Sequence, residues 1–285
     1  MGTKSVMTVA EQEEVGKLIA QAYEEGDLKA IAAIVAPPIE LEISRREITS
    51  LLLTKVDLKA GEPATFQMAA NNITAKWISK DGDVCESEVK GDEVEFPFGK
   101  AVALPMVDTS TLKHGNIGKL SDILKKAGKQ IRIIVDQRTI SLLSAAVPVA
   151  NTVECSGGKL TREAMSKAKA FIEDQELAVK YILMRGSRAE DMEGWELDQA
   201  TRREMMLKGI FKIYNGAEII FSASMLANEV ILLGDDEVGK YAIRTPLTTD
   251  VIEEKKRFKT GWLAWLEAAL GITNPAILAK VVITA

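Results

Sequence analysis

Histidine and cysteine are almost absent from this chain. His114 stands alone, and Cys85 and Cys155 are the two cysteines. A lone histidine with no cysteine or acidic cluster at ligand spacing does not build a metal centre, and reads instead as a surface or capping residue. Two thiols so far apart in sequence make no disulfide framework, which suits a reducing compartment. Aromatic residues supply only 5% of the chain, and no apolar run reaches the roughly 20 residues that span a membrane. The opening MGTKSVMTVAEQEE has no apolar signal core, so a soluble protein made inside a cell is expected. Positive charge is not in excess either: 36 Lys and Arg against 41 Asp and Glu give a net charge of −5. That balance creates no large field attracting nucleic acid. Also missing are a G-x-S-x-G elbow and an H-E-x-x-H pair. Carboxylates are so plentiful that no pair of them singles itself out as acid and base. No catalytic, cofactor-binding or metal-binding residue is therefore assigned, and no cofactor.

What is present is an ordinary globular composition, with 47% hydrophobic and 27% charged residues over 285 positions. One large domain or two smaller ones are expected, burying roughly three quarters of the unfolded surface without staples. The chain is organised around one long helical stretch, Gly115 to Val147. Ile117, Leu120, Leu124, Ala127, Ile131 and Ile134 recur three and four apart on one stripe. Lys119, Asp122, Lys125, Lys126, Lys129, Gln130 and Arg132 occupy the wet face. The stripe broadens through Ile140, Leu142, Leu143, Ala145 and Ala146, and Pro148 ends it. Such a helix is about 45 Å long. Gly128 is its interior weak point, costing about 1 kcal/mol against alanine and permitting a kink.

Upstream, Thr8-Val-Ala-Glu11 is a capping box, and Val15, Leu18, Ile19, Ala22 and Tyr23 come after it at helical spacing. Asp27 caps a second helix with Ile31, Ile34 and Val35, which Pro37-Pro38 is expected to close. Both helices are amphipathic and need a partner surface, in this chain or a neighbouring one. Strand-like runs come next at 51–58 and 64–68, around the turn Ala60-Gly61-Glu62-Pro63. Ile73 to Ile78 alternates, 79–93 is charged and polar, and strand character resumes at 94–98 and 100–107. The pattern is an extended hairpin leaving the body, too poor in apolar surface to be stable alone.

After the long helix, Thr161 opens a helix with Ala164, Met165, Ala168, Phe171 and Ile172 on one face, and 179–184 is a buried-strand run. Ser187 to Asp198 reads as a short helix and loop around Trp195. Asn215-Gly216 between 209–214 and 217–221 is the strongest short hairpin signal in the chain. Strands are expected at 229–233 and 240–245, then through 248–270 and 277–283. The mixed Glu253-Glu254-Lys255-Lys256-Arg257 is read as a solvated or interfacial strand edge. Helix, strands, long helix, then mixed elements make an α+β protein.

One motif is a decoy. Gly234-Asp-Asp-Glu-Val-Gly239-Lys240 has phosphate-loop spacing. Asp235, Asp236 and Glu237 stand where phosphate oxygens would arrive, however, and Tyr241 replaces the hydroxyl residue. From Tyr241 to Thr245 the chain alternates as a strand instead of forming the helix that such a loop needs. The stretch reads as a hairpin turn.

The ordered set Leu207-Lys-Gly209-Ile-Phe-Lys-Ile-Tyr-Asn-Gly216-Ala-Glu-Ile-Ile-Phe-Ser222, Val230-Ile-Leu-Leu233 and Gly271-Ile-Thr-Asn274-Pro275-Ala-Ile277 resembles major capsid proteins of tailed bacteriophages with the Hong Kong 97-like fold. The long helix ending near Asp136-Gln-Arg-Thr-Ile-Ser-Leu-Leu-Ser-Ala-Ala146 and the upstream order are similar as well. The resemblance covers most of the chain from about Glu47. It departs from the family pattern at Ala217-Glu218, where a proline is common, and in two compact N-terminal helical stretches. The region before Glu47 is too short for a large cleavable scaffolding segment, which implies a separate scaffolding protein or assembly without one. Some relatives crosslink a lysine to an asparagine; Lys76, Lys80 and Lys90 lie in or near the loop, but nothing marks them for that chemistry.

The resemblance implies an N-terminal helical arm at 1–45 and a peripheral domain at 46–114 carrying an extended β-hairpin loop at about 69–95. A spine helix at 115–147, an axial domain at 148–245 and C-terminal strands at 246–285 complete the implied order. It implies a non-enzymatic shell subunit that assembles with itself, as pentamers and hexamers, into an icosahedral virion enclosing double-stranded DNA held without sequence-specific binding. Assembly would take place in the host cytoplasm. Portal, scaffolding or decoration proteins are the further partners implied, and no membrane. An encapsulin-type nanocompartment enclosing cargo enzymes shares the fold and is the alternative, kept open by the helix at Thr8 to Tyr23. An α+β metabolic enzyme is a third reading, which no catalytic constellation supports.

Overall fold

The computed structural model describes residues 27–44, 47–68, 92–108, 117–193, 195 and 213–284, with residues 14, 17, 18, 21, 22 and 25 before them. The capping box at Thr8, the loop residues 69–91 with Lys76, Lys80, Cys85 and Lys90, His114 and residues 196–212 lie outside the described residues.

Helix α1 spans Leu28–Ser44. Asp27 starts it, its Oδ1 accepting from the Ala30 N–H at 3.0 Å. The helix runs through Pro37 and Pro38 instead of closing there as the sequence predicts. Two backbone bonds are lost to the prolines. Yet Pro37 is exposed, whereas Val35, Ile39 and Ile43 on the inner face are buried, so packing outweighs the local penalty. A short helix α2 (Thr49–Leu52) precedes strand β1 (Thr54–Asp57), where the sequence suggests strand throughout. The long helix α3 spans Ile117–Ala146. Its described buried stripe is Leu124, Ala127, Ile131, Val135, Thr139, Ile140 and Leu143. Ile134, expected on that stripe, is exposed, because a 3–4–3 repeat falls behind a helix of 3.6 residues per turn and Val135 rotates inward instead. Gly128 is a contact point: a Cβ there would stand 2.8 Å from the Ile39 carbonyl oxygen, so glycine lets α1 and α3 touch backbone to backbone.

Strands β2 (Thr65–Gln67) and β3 (Glu93–Glu95) form an antiparallel pair. Pro97 and Pro105 divide the next strand run into β4 (Phe98–Ala103) and β5 (Met106–Asp108). After α3 come β6 (Thr152–Cys155), helix α4 (Arg162–Glu173), β7 (Val179–Met184) and the short helix α5 (Ala189–Glu193). Thr161 caps α4 by accepting from the Ala164 N–H at 3.3 Å. The remaining strands are β8 (Ile213–Tyr214), β9 (Ala217–Phe221), β10 (Glu229–Gly234), β11 (Gly239–Glu254), β12 (Lys259–Ile272) and β13 (Leu278–Ile283).

The chain divides into two compact units. The first comprises Met1–Glu62, Phe98–Thr139 and Tyr241–Ala269. It holds the five-stranded sheet β1-β11-β12-β4, with β5 also paired to β12. Registers Trp265↔Val102 and Glu267↔Lys100 set side chains of β12 and β4 opposite one another. The second comprises Pro63–Pro97, Ile140–Lys240 and Leu270–Ala285. Its six-stranded mixed sheet has the order β6-β13-β10-β7-β9-β8. Helix α4 turns Met165, Ala168 and Ile172 into a core shared with Ile182, Leu232 and Val281, while Trp195 meets Tyr214 edge-on at 5.5 Å. Burial of the larger apolar side chains stabilises each unit by about 1.5–3 kcal/mol apiece.

Candidate functional site

The densest buried polar group of the first unit gathers where α2 begins against α3. Asp136 is 5% exposed, and its Oδ1 accepts from the Ile48 and Thr49 N–H groups, each at 3.1 Å, and from the Thr49 hydroxyl at 3.0 Å. Thr139 lies 2.8 Å from the Thr49 hydroxyl, and its own Oγ1 donates back to the Val135 carbonyl. The Ser50 hydroxyl donates to the Glu47 carbonyl oxygen at 3.3 Å, and the Glu47 carboxyl lies near the Tyr241 phenol of β11. Burial pushes both carboxyls, Glu47 and Asp136, above the usual carboxylate range, against the donors that favour their charged forms. Burial, then the Glu47 charge, raises the Tyr241 phenol as well. This arrangement is a helix cap supplied from another helix: Asp136 satisfies free amides at the α2 start, and Thr139 holds the hydroxyl of Thr49, the first residue of α2.

The outer part of the same unit carries charges paired across strands. The Arg244 guanidinium donates from Nη2 to Glu267 Oε1 at 2.7 Å and lies 3.9 Å above the Phe98 ring. Thr245 adds a hydroxyl to Glu267 at 3.2 Å, and Lys100 sits over Trp265 at 4.8 Å. The Arg244 hydrogen bond holds the Glu267 carboxyl below its ordinary range. In the second unit Ser144 donates to Glu229 Oε2 at 2.8 Å, and Lys280 reaches the Ser144 carbonyl at 3.2 Å and Glu229 at 3.8 Å. The serine proton is aimed at a carboxylate that already holds an ion pair. These contacts fasten the end of α3 to β10 and β13.

The decoy turn is a connection, not a hairpin. Strand β10 already has β13 and β7 on its two sides, and β11 belongs to the other sheet. Asp235, Asp236 and Glu237 are exposed, Lys240 is paired with Glu237, and strand β11 stands where a phosphate loop needs a helix. Cys155 is buried, its Sγ 3.1 Å from the Lys159 carbonyl oxygen. Among the described residues no group of three or more His, Cys, Asp or Glu side chains could hold a metal, and no helix is long and apolar enough to cross a membrane. Neither the Asp136–Thr49 cap nor the Arg244–Glu267 clamp is foreseen from sequence. An acid interrupting a helical stripe, Asp136 beside Val135, is the signal available for the first.

No family model matches the chain, and no curated protein does. Solved structures do. A structure from Gordonia phage Cozz matches at TM-score 0.66 and 13% identity, covering 84% of this chain and 87% of that one. The capsid of cyanophage P-SCSP1u matches at TM-score 0.63 and 11% identity, over 84% and 88%. A virus-like particle from Pyrococcus furiosus matches at TM-score 0.60 and 14% identity, over 87% and 97%. Mixed sheets, a long helix and this likeness place the chain as an α+β protein with the fold of tailed-phage major capsid proteins.

Proposed function

We propose that the chain is a capsid shell subunit, a major capsid protein whose copies close into an icosahedral container for double-stranded DNA in a virion. The observation that carries this reading is the likeness of 84% of the chain to a phage capsid structure, with 88% of that chain covered in return. In this reading residues 1–45 are a helical arm whose α1 folds back on the long helix of its own chain, 46–114 and the spine helix 115–147 form a peripheral domain, 148–245 an axial domain, and 246–285 the returning strands. Pairing of β2 with β3 at either side of residues 69–91 supports an extended loop there, rooted by the Phe66–Phe96 stack at 5.8 Å. Pentamers and hexamers of the chain make the shell, with portal, scaffolding or decoration proteins as further partners, and it is built in the host cytoplasm. The work is non-covalent: many modest contacts per subunit sum to a stable closed object. A net charge of −5 suits a container whose wall must not hold its DNA tightly.

Sedimentation of the full chain expressed alone, with electron microscopy of the fast fraction, tests the reading. Closed particles of uniform size are expected. A chain that remains a monomer at high concentration would overturn it. The likeness to a virus-like particle favours one second reading, a compartment enclosing protein cargo. Genes for a portal and packaging motor beside this one support the capsid; genes for a ferritin-like or peroxidase cargo support the compartment.

A further inference from the structure

On the exposed face of α3, charge runs against the balance of the whole chain. The chain is net acidic at −5, yet Lys126, Lys129 and Arg138 are exposed on this face against one exposed acid, Asp122. Arg132 is engaged with Glu42 of α1 at 3.9 Å and takes no part. Among the described residues, none forms an ion pair with Lys126, Lys129 or Arg138. Gln130 and Gln137 are exposed beside them. Among the described residues of the face, Ile134 is the one large apolar side chain in solvent, and no aromatic ring accompanies it.

Helix geometry sets the order of these side chains. At 3.6 residues per turn, Lys126, Gln130 and Gln137 run along the middle of the face, with Lys129 on one side of them and Arg138 on the other. The opposite side of the helix is taken by the core: Ile131 and Val135 are buried, and Gly128 meets Ile39 of α1 backbone to backbone. The cations therefore stand on a helix braced from behind, not on a loop.

We infer that this face of α3 is where the subunit touches duplex DNA, through phosphates and without reading sequence. The inference deepens the shell reading and rests on it for the choice of duplex. A helix with its side chains is about 10–12 Å across, close to the roughly 12 Å width of a major groove. Cations on its two sides then meet the phosphate rows on the two edges of the groove, and such contacts position a duplex without specifying it. From Lys126 to Arg138 the helix rises about 18 Å, along which duplex DNA presents on the order of 10 charges. A second copy of the chain is the poorer occupant. Protein contacts centre on aromatic and apolar anchors and are depleted of lysine at the core, and this face offers one isoleucine. Three phosphate contacts per subunit are weak singly, which suits a wall that must let DNA move, and they add up over many subunits.

Two variants of the full chain test the assignment. One carries Lys126→Gln, Lys129→Gln and Arg138→Gln. The control removes the same charge from exposed positions elsewhere, with Lys59→Gln, Lys159→Gln and Lys167→Gln. Binding of a short fluorescent duplex to subunits below the concentration of assembly is read by anisotropy across salt, beside thermal melting and particle yield in electron microscopy. The parent is expected to bind with a log–log salt slope of about −2.7, a roughly forty-fold loss of affinity from 50 to 200 mM salt. The α3 variant should lose roughly tenfold or more at low salt, and most of that slope. The control should bind as the parent does, and both variants should melt and assemble like the parent. Equal binding by parent and α3 variant overturns the assignment, and so does an equal loss in the control, which would make net charge the cause. Particles lost from the α3 variant with melting unchanged overturn it in favour of a second copy. A parent that assembles but binds no duplex overturns this inference alone; a parent that forms no particles overturns the shell reading and the inference with it.

Discussion

An alanine at position 128 would suit an isolated helix better than glycine, by about 1 kcal/mol. In the folded chain its Cβ would press on the Ile39 carbonyl oxygen at 2.8 Å and on Glu42 Cβ at 3.1 Å. Backbone cannot swing aside as a side-chain end can. Gly128→Ala is therefore expected to destabilise the first unit by a net ~1–3 kcal/mol, read by equilibrium denaturation. Asp136 and Glu47 set a pH dependence of definite sign. Both carboxyls are raised in the folded state, so the native chain binds protons more readily than the unfolded chain just above the ordinary carboxylate range. Their stabilising contribution is complete below the unfolded values and is lost as pH rises through the raised ones. Glu267 acts in the opposite sense and lower on the scale, because its depressed carboxyl gives up stability only as pH falls through its own lowered value. Melting temperature should consequently rise as pH is brought from 7 toward about 5. Asp136→Asn, which keeps the accepting Oδ1 and removes the charge, should flatten that rise. A profile equally steep in parent and variant would assign the pH dependence to other groups.

Helix α1 decides, for the second of the two N-terminal helices, a question that sequence leaves open: whether it lies on its own chain or a neighbour. Val35 and Ile39 are fully buried, and Glu42 pairs with Arg132 of α3 at 3.9 Å. Ile39→Ala should cost about 2–5 kcal/mol, and deletion through Ser44 should abolish cooperative melting of the first unit. If the truncated chain melts like the parent, α1 is dispensable to the fold. Elements governed by short-range chemistry are legible in sequence: α3, whose C-terminal end falls within one residue of the expected Val147, the Asn215-Gly216 hairpin, the Thr161 cap and the last strand. Elements governed by distant neighbours are not. Pro37-Pro38 is overruled by packing on the far face of its helix. The turn at 234–239 reads as a hairpin until one sees that β10 has no free edge. The Asp136 cap joins residues 87 apart in the chain, which no local pattern encodes.

At the scale of the molecule, nothing in the described residues concentrates chemistry in the way a reaction centre does. Buried and half-buried polar groups are spent on holding elements together: Asp136 on α2, Ser144 with Lys280 on the end of α3, and Asn151 on the carbonyls of Ala276 and Leu278 at 3.0 and 2.9 Å. What remains among the described residues is surface, including the face of β4 that carries Val102 and the adjoining Leu104, both half in solvent. In the proposed reading such surface is where copies of the chain meet, and the likeness in fold to a phage capsid structure supports it. The most direct measurement is a cryo-electron microscopy reconstruction of particles formed by the purified full chain. Closed shells of icosahedral symmetry, with both compact units fitting the density of each subunit, are the predicted result. Purified chain that gives only monomers or open, non-closing assemblies across concentration and salt would contradict the account.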